Sequence, residues 1–176
     1  SVLIVGPLLL VGVPAALAVD DTPVIAGAWS GSGPAGTTAT TTLNRTGGVA
    51  EFKYERNLGV AGGVPLTTWT FQSTAQQAGT VRLAWDFAGL HAWFNVTAGL
   101  STFVNATPGP SLVAAGPASC CTAPSNGFDY SGSTTLTVNN GDTFGFTITG
   151  SNGDLNSFLR GTLRVAGPSS ASGHWV

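Results

Sequence analysis

The chain has 176 residues with a formal charge of only −2, and charged residues make up 8 % of it, against roughly 25 % in an average globular protein. Its six basic residues are scattered, Lys53 being the single lysine, so the cation cluster that phosphate neutralisation needs is missing and nucleic-acid binding is excluded. A hydrophobic fraction of 43 % also argues against disorder, which goes with low hydrophobicity and high net charge.

The first eighteen residues read as an export signal. Val2 to Val13 is almost purely apolar, broken by Gly6, Pro7 and Gly12, and Pro14 and Ala16-Leu17-Ala18 precede Val19-Asp20-Asp21. That is the apolar core and small-residue cleavage site of a secretory signal peptide, too short and too proline-broken for a bilayer of about 30 Å. No initiator Met or basic n-region precedes it, so the sequence is expected to start inside a reading frame. The expected location is secreted, extracellular, or the periplasm or cell surface, with no membrane span after cleavage. About 158 residues then remain, enough for one domain with a sizeable core.

Residues 19–38 are rich in Gly, Pro and Ser and read as an extended arm or edge strand, followed by a β-domain over 39–168 and a tail over 169–176. Glu51-Phe52-Lys53-Tyr54-Glu55 has the period of a half-buried strand. Thr67 to Thr74 places Trp69 and Phe71 on one face. Val81, Leu83, Trp85 and Phe87 alternate with Arg82, Ala84 and Asp86. Leu90, Ala92, Phe94 and Val96 alternate with His91, Trp93 and Asn95. A two-residue loop at Ala88-Gly89 would set Phe87 against Leu90, Trp85 against Ala92 and Leu83 against Phe94, all apolar pairs. It would also set Asp86 against His91 and Arg82 against Asn95, leaving Trp93 on the outer face. Farther on, Thr134, Leu136 and Val138 lead into Asn140-Gly141, a strong hairpin signal, with Phe144, Phe146 and Ile148 as the return strand. A last strand, roughly Phe158 to Ala166, follows the turn at Asn152-Gly153-Asp154. No stretch has helical period. The expected fold is all-β, an antiparallel β-sandwich or jelly roll of roughly 8–10 short strands.

Candidate chemistry is sparse. An Asp86–His91 pair has the form of an oriented general base, but no Gly-x-Ser-x-Gly nucleophile accompanies it, and the plainer reading is a cross-strand ion pair. Glu51 and Glu55 share a strand face about 13 Å apart, too far for a glycosidase pair, so no catalytic residue is assigned. Asp142, Asn152 and Asp154 are loop oxygens that would suit a structural calcium ion, although such residues also simply make turns. Two histidines and two adjacent cysteines do not make a zinc site, and no other cofactor is expected. Cys120-Cys121, in an exposed Gly/Pro/Ser-rich loop, is open to three readings in an oxidising compartment: a vicinal disulfide, two free thiols, or bridges to another chain. Trp93 would be a flat platform of the kind sugars stack on, with His91, Asn95, Arg82 and Asp86 as polar neighbours, or a surface covered by another segment or subunit. Trp29 and Trp175 lie in the arms, His174 stands alone in the tail, and the sequons at Asn44, Asn95 and Asn105 matter only in a glycosylating host.

The stretch from Gly132 to Gly150, closing with Gly161-Thr-Leu-Arg-Val165, resembles the terminal strands of exported bacterial β-sandwich modules of cell-surface and sorting-signal proteins. Ala84-Trp-Asp-Phe-Ala-Gly89 fits the same style. Such modules are similar in fold to carbohydrate-binding and pre-peptidase C-terminal domains, non-catalytic and sometimes calcium-stabilised. The resemblance implies a binding or adhesion module for glycan or surface polymer, and transfers no functional residues. Two other readings compete: a structural subunit or homo-oligomer that pairs edge strands, and a small secreted hydrolase.

Overall fold

A computed structural model describes residues 27–44, 49–57, 64–154 and 158–166. The leader, His174 and Trp175 lie outside the described residues. Among the described residues every regular element is a strand: β1 (Ser30–Ser32), β2 (Thr37–Asn44), β3 (Val49–Asn57), β4 (Val64–Thr74), β5 (Gly79–His91), β6 (Val96–Val104), β7 (Thr107–Ala118), β8 (Phe128–Val138), β9 (Thr143–Asn152) and β10 (Phe158–Ala166). They form two five-stranded sheets, ordered β1-β4-β9-β6-β7 (sheet I) and β2-β3-β10-β5-β8 (sheet II). All pairings are antiparallel, so the fold is the expected β-sandwich. β1 and the start of β2 fall in the stretch read as an arm and lie at sheet edges.

The core follows from period-two alternation. In sheet II, Phe52, Tyr54, Leu83, Trp85, Phe87, Leu163 and Val165 point inward; in sheet I, Trp69, Phe71, Phe144, Phe146 and Ile148 do. The rings meet across the gap: Trp29 lies 4.9 Å from Phe52 and 5.5 Å from Phe144, and Tyr54 lies 4.6 Å from Trp69. Aromatic contacts of this kind add about 0.5–1.5 kcal/mol each beyond area burial. Trp29, from the N-terminal stretch, is thus a core residue.

Two expected hairpins are absent. The chain does not turn at Ala88-Gly89: β5 runs straight through it, flanked by β10 and β8, with Gly89 opposite both Gly161 and Phe128. Gly89 is required by close approach, since a Cβ there would strike the Arg160 carbonyl and the Phe128 ring. Its inward parity therefore continues through Gly89 to His91, and Leu90 faces outward. Asp86 and His91 consequently sit on opposite faces and cannot pair. Phe94, expected inside, is 56 % exposed. The reversal happens at residues 92–95, where Asn95 takes φ +52° and the chain crosses from sheet II to sheet I. Asn140-Gly141 does make a tight turn, with Gly141 at φ +88°, but β8 and β9 leave it into different sheets. Turn chemistry specifies a reversal, not the hydrogen-bonded partner.

Charge divides the faces. The strands of sheet I contain no Asp, Glu, Lys, Arg or His. Sheet II carries Glu51, Lys53, Glu55, Arg56, Arg82, Asp86, Asp129, Arg160 and Arg164 on its strands. Glu51 accepts from both Lys53 and Arg164 at 2.9 Å, which holds its carboxyl below the usual range.

Candidate functional site

One end of the sandwich gathers the β5–β6 turn, the β7–β8 connection and the end of β9. Here the buried His91, last residue of β5, and the buried Ala92 after it give way to three exposed residues, Trp93, Phe94 and Asn95. Trp93 is 45 % and Phe94 56 % exposed; with Leu66 on β4 they are the exposed large apolar side chains among the described residues. Apolar rings left in water at one place mark a contact surface.

The turn beneath them is fixed by its neighbours. His91 N–H donates to the Pro124 carbonyl at 3.2 Å, and Ala92 N–H to the Phe158 carbonyl at 2.9 Å. Ser125 Oγ, fully buried, donates to the Trp93 carbonyl at 2.7 Å. Gly153 N–H donates to the Phe94 carbonyl at 2.8 Å. Four bonds to three other segments hold four consecutive residues, so the rings stand on a rigid base.

His91 is the post under this turn. The Thr97 carbonyl, 2.6 Å from Nδ1, can only accept, so Nδ1 carries the proton. Nε2 then accepts from the Tyr54 hydroxyl at 2.8 Å. The ring meets Tyr54 and Phe128 edge-on at 5.8 Å and 5.2 Å, and Gly150 of the facing sheet leaves room for it. Burial pushes its pKa down to about 4, against the Thr97 bond, and burial likewise raises the Tyr54 phenol. A neutral imidazole with both nitrogens engaged is a bridge between sheets, neither a free base nor a metal ligand.

The remaining candidate residues are dispersed. Asp86 lies on the outer face of sheet II, in register with Arg164 and Ser131; desolvation first, then neighbouring Asp129, raises its pKa. Arg82 is nine residues up β5 from His91, about 30 Å away. Of the four polar residues grouped around Trp93, the structure keeps only Asn95 beside it on the exposed turn. Asp142 and Asn152 likewise bracket β9, about 30 Å apart, and do not share one cation. Asp142 instead braces a turn. Its Oδ2 accepts from Asn139 N at 2.7 Å and its Oδ1 from Asn105 Nδ2 at 2.9 Å, and the Asn139 and Asn105 donors lower its pKa. Asn152 Oδ1 accepts from Asp154 N at 2.7 Å, an Asx turn. No group of three or more His, Cys, Asp or Glu is placed for a metal among the described residues. Cys120 and Cys121 are exposed and unbridged.

Two features escaped sequence reasoning. The Ser125 lock is set by a contact between residues far apart in the chain and leaves no local signal. So are the grooves on the outer face of sheet I. One, of about 370 Å³, is edged by Leu66, Thr97, Thr149 and Ala114. Another, of about 360 Å³, adjoins it at Ser101 and runs toward Phe103 and Pro108. Both are free of charge and fringed with hydroxyls. The outer face of sheet II has a larger trough, about 640 Å³, bordered by Lys53, Glu55, Arg160 and Arg164.

No protein-family model and no curated protein matches the chain. Among solved structures it is similar to a chain of infectious bursal disease virus, Gt strain (14 % identity, 78 % of this chain and 34 % of that one, TM-score 0.36). It is also similar to a family 35 carbohydrate binding module from Clostridium thermocellum (13 % identity, 78 % and 90 %, TM-score 0.33). A third is the carbohydrate binding module CBM6cm-2 of Cellvibrio mixtus lichenase 5A, in complex with cellotriose (14 % identity, 84 % and 94 %, TM-score 0.30). The chain spans about a third of the viral protein's length. These likenesses concern the β-sandwich fold alone.

Proposed function

We propose that the protein is a non-catalytic, extracellular binding module that takes a neutral glycan or surface polymer on the Trp93–Phe94 platform. The observation that carries this reading is the pair of exposed rings on a turn pinned by Phe158, Pro124, Ser125 and Gly153. A planar ring offers a sugar's apolar face a large contact, and a base already ordered reduces the freedom lost on binding. The uncharged, hydroxyl-fringed face of sheet I supports a neutral partner over an acidic one. The leader read at residues 1–18 supports export.

The test is affinity electrophoresis and calorimetry of the intact chain against a panel of neutral and acidic polysaccharides. At least one neutral polymer should bind, and Trp93→Ala should weaken it tenfold or more with an unchanged melting temperature. A wild-type chain that binds nothing on the panel, or a Trp93→Ala variant that binds as tightly, would defeat the reading.

A second reading, a subunit joined by strand pairing, has one observation in its favour. The edges of sheet I are a three-residue β1 and a β7 broken by Pro108, Pro110 and Pro117. Sheet II ends in β2 and β8, of eight and eleven residues, both without proline. Open edges of that kind invite another strand. Sedimentation velocity decides it: assembly abolished by Thr40→Lys supports strand pairing, and a monomer at all concentrations removes it.

A further inference from the structure

Cys120 and Cys121 occupy the β7–β8 connection, outside the platform yet joined to it. The loop is internally braced. Thr122 Oγ1 donates to the Ser119 carbonyl at 3.2 Å, Asn126 Nδ2 to the Cys121 carbonyl at 3.1 Å, and Ser125 N–H to the Thr122 carbonyl at 2.7 Å. Cys121 itself takes φ +78°. The same loop supplies Pro124 and Ser125, two of the four anchors beneath Trp93. Both thiols are exposed and unbridged, so a small reagent reaches either one.

We propose that Cys120 and Cys121 form a reversible dithiol–disulfide site, closed by exchange with a small-molecule disulfide, whose closure stiffens the loop that holds Trp93. The chemistry balances without a metal. One thiolate, its proton lost to solvent, attacks the reagent's S–S bond and releases one small thiolate. The neighbouring thiolate then attacks the resulting mixed disulfide, forming the Cys120–Cys121 bond and releasing the second small thiolate. The protein loses two hydrogens and two electrons, and the small disulfide becomes two thiols.

Three physical points favour this outcome over its rivals. The second thiol is one residue away, an effective concentration that an intermolecular partner does not match. Both thiols are exposed, so an external disulfide reaches either sulfur while the other stays beside it to close the ring. Two sulfurs without a third His, Cys, Asp or Glu ligand among the described residues do not build a zinc site. Adjacent Cα atoms are about 3.8 Å apart, below the usual 4.4–6.8 Å for a disulfide, so the ring is strained and opens again under reducing conditions. Closure of this pair requires no glycan.

The experiment incubates the intact chain in glutathione buffers from fully reduced to fully oxidised, blocks residual thiols with a maleimide and measures intact mass. The expected product at the oxidising end is a monomer lacking two hydrogens, with neither glutathione nor maleimide attached, which reverts on adding reduced glutathione. A persistent glutathione adduct, a covalent dimer, or a fully blocked dithiol at every ratio would overturn the proposal. Hydrogen exchange tests the coupling: residues 92–95 and 119–127 should exchange at least threefold more slowly in the oxidised wild type. Cys120→Ser, treated identically, should show no change. Equal wild-type rates in both redox states would refute the link to Trp93.

Discussion

Acid should loosen this sandwich well before its carboxylates protonate, because His91 is buried neutral. Its ring has an ordinary value of 6.5 when unfolded and about 4 in the fold. Below pH 6.5 the unfolded chain therefore binds a proton that the native state refuses, and stability falls as pH falls. The loss is about 2 kcal/mol at pH 5 and about 3 kcal/mol at pH 4, where it levels off. For a domain of this size the pH 5 figure corresponds to a drop of roughly 4–8 °C in Tm. Glu51 and Asp142, whose pKa values are depressed, also lose stabilisation in acid, but from their ordinary 4.5 and 3.8 downward. Asp86 works in the opposite direction, since its pKa is raised. Urea unfolding at pH 7, 6 and 5 on the wild type and on His91→Gln separates these contributions, because only the His91 slope disappears in the variant. A wild-type stability flat between pH 7 and 5, or the same slope in His91→Gln, would refute the buried neutral imidazole.

Other consequences follow from the same contacts. A Cβ at Gly150 would lie 2.6 Å from His91 Cε1, so Gly150→Ala should destabilise by about 1–3 kcal/mol. That loss should shrink in a His91→Ala background, which a double-mutant cycle in urea reads directly. Ser125→Ala leaves the Trp93 carbonyl without its partner and should cost about 1–2 kcal/mol, with faster amide exchange at residues 92–95. Asp142→Ala removes the acceptor of Asn139 N–H and should speed exchange at Asn139 several-fold while leaving the Trp93 end unchanged.

The strands that were legible carry a period of two, whereas β7, whose burial does not alternate, gave no such signal. Phe52 and Tyr54, Trp69 and Phe71, and Leu83, Trp85 and Phe87 all read correctly from alternation. What alternation lacks is the identity of the neighbour. The run from Val81 to Val96 satisfies apolar pairing as a hairpin, yet Gly89 marks close packing against β10 and not a turn. Asn140-Gly141 failed in the same way, as a true reversal whose strands enter different sheets. The site inherited this ambiguity. Asp86, Arg82 and His91 were grouped with Trp93 only through the wrong register, and Phe94 was placed inside for the same reason. Long-range contacts decide these placements, and a single sequence does not state them.

The inward His91 and the outward Trp93 are two residues apart, and that closeness gives the candidate site its character. A neutral histidine completes the core at this end without burying a charge, so the sandwich carries its packing right up to the turn. The turn can then expose two large rings and remain ordered, because its carbonyls and amides are taken by three other segments. Residues 92–95 and 119–127 contain no charged side chain, and neither do the strands of sheet I. A ligand held here would be recognised by ring stacking and neutral hydrogen bonds, with no ion pair for salt to screen. Affinity for a neutral polymer should thus stay within about twofold between 0.05 and 0.5 M salt. A steep fall would instead locate the binding surface on sheet II, among Lys53, Arg160 and Arg164, where this protein keeps its charge.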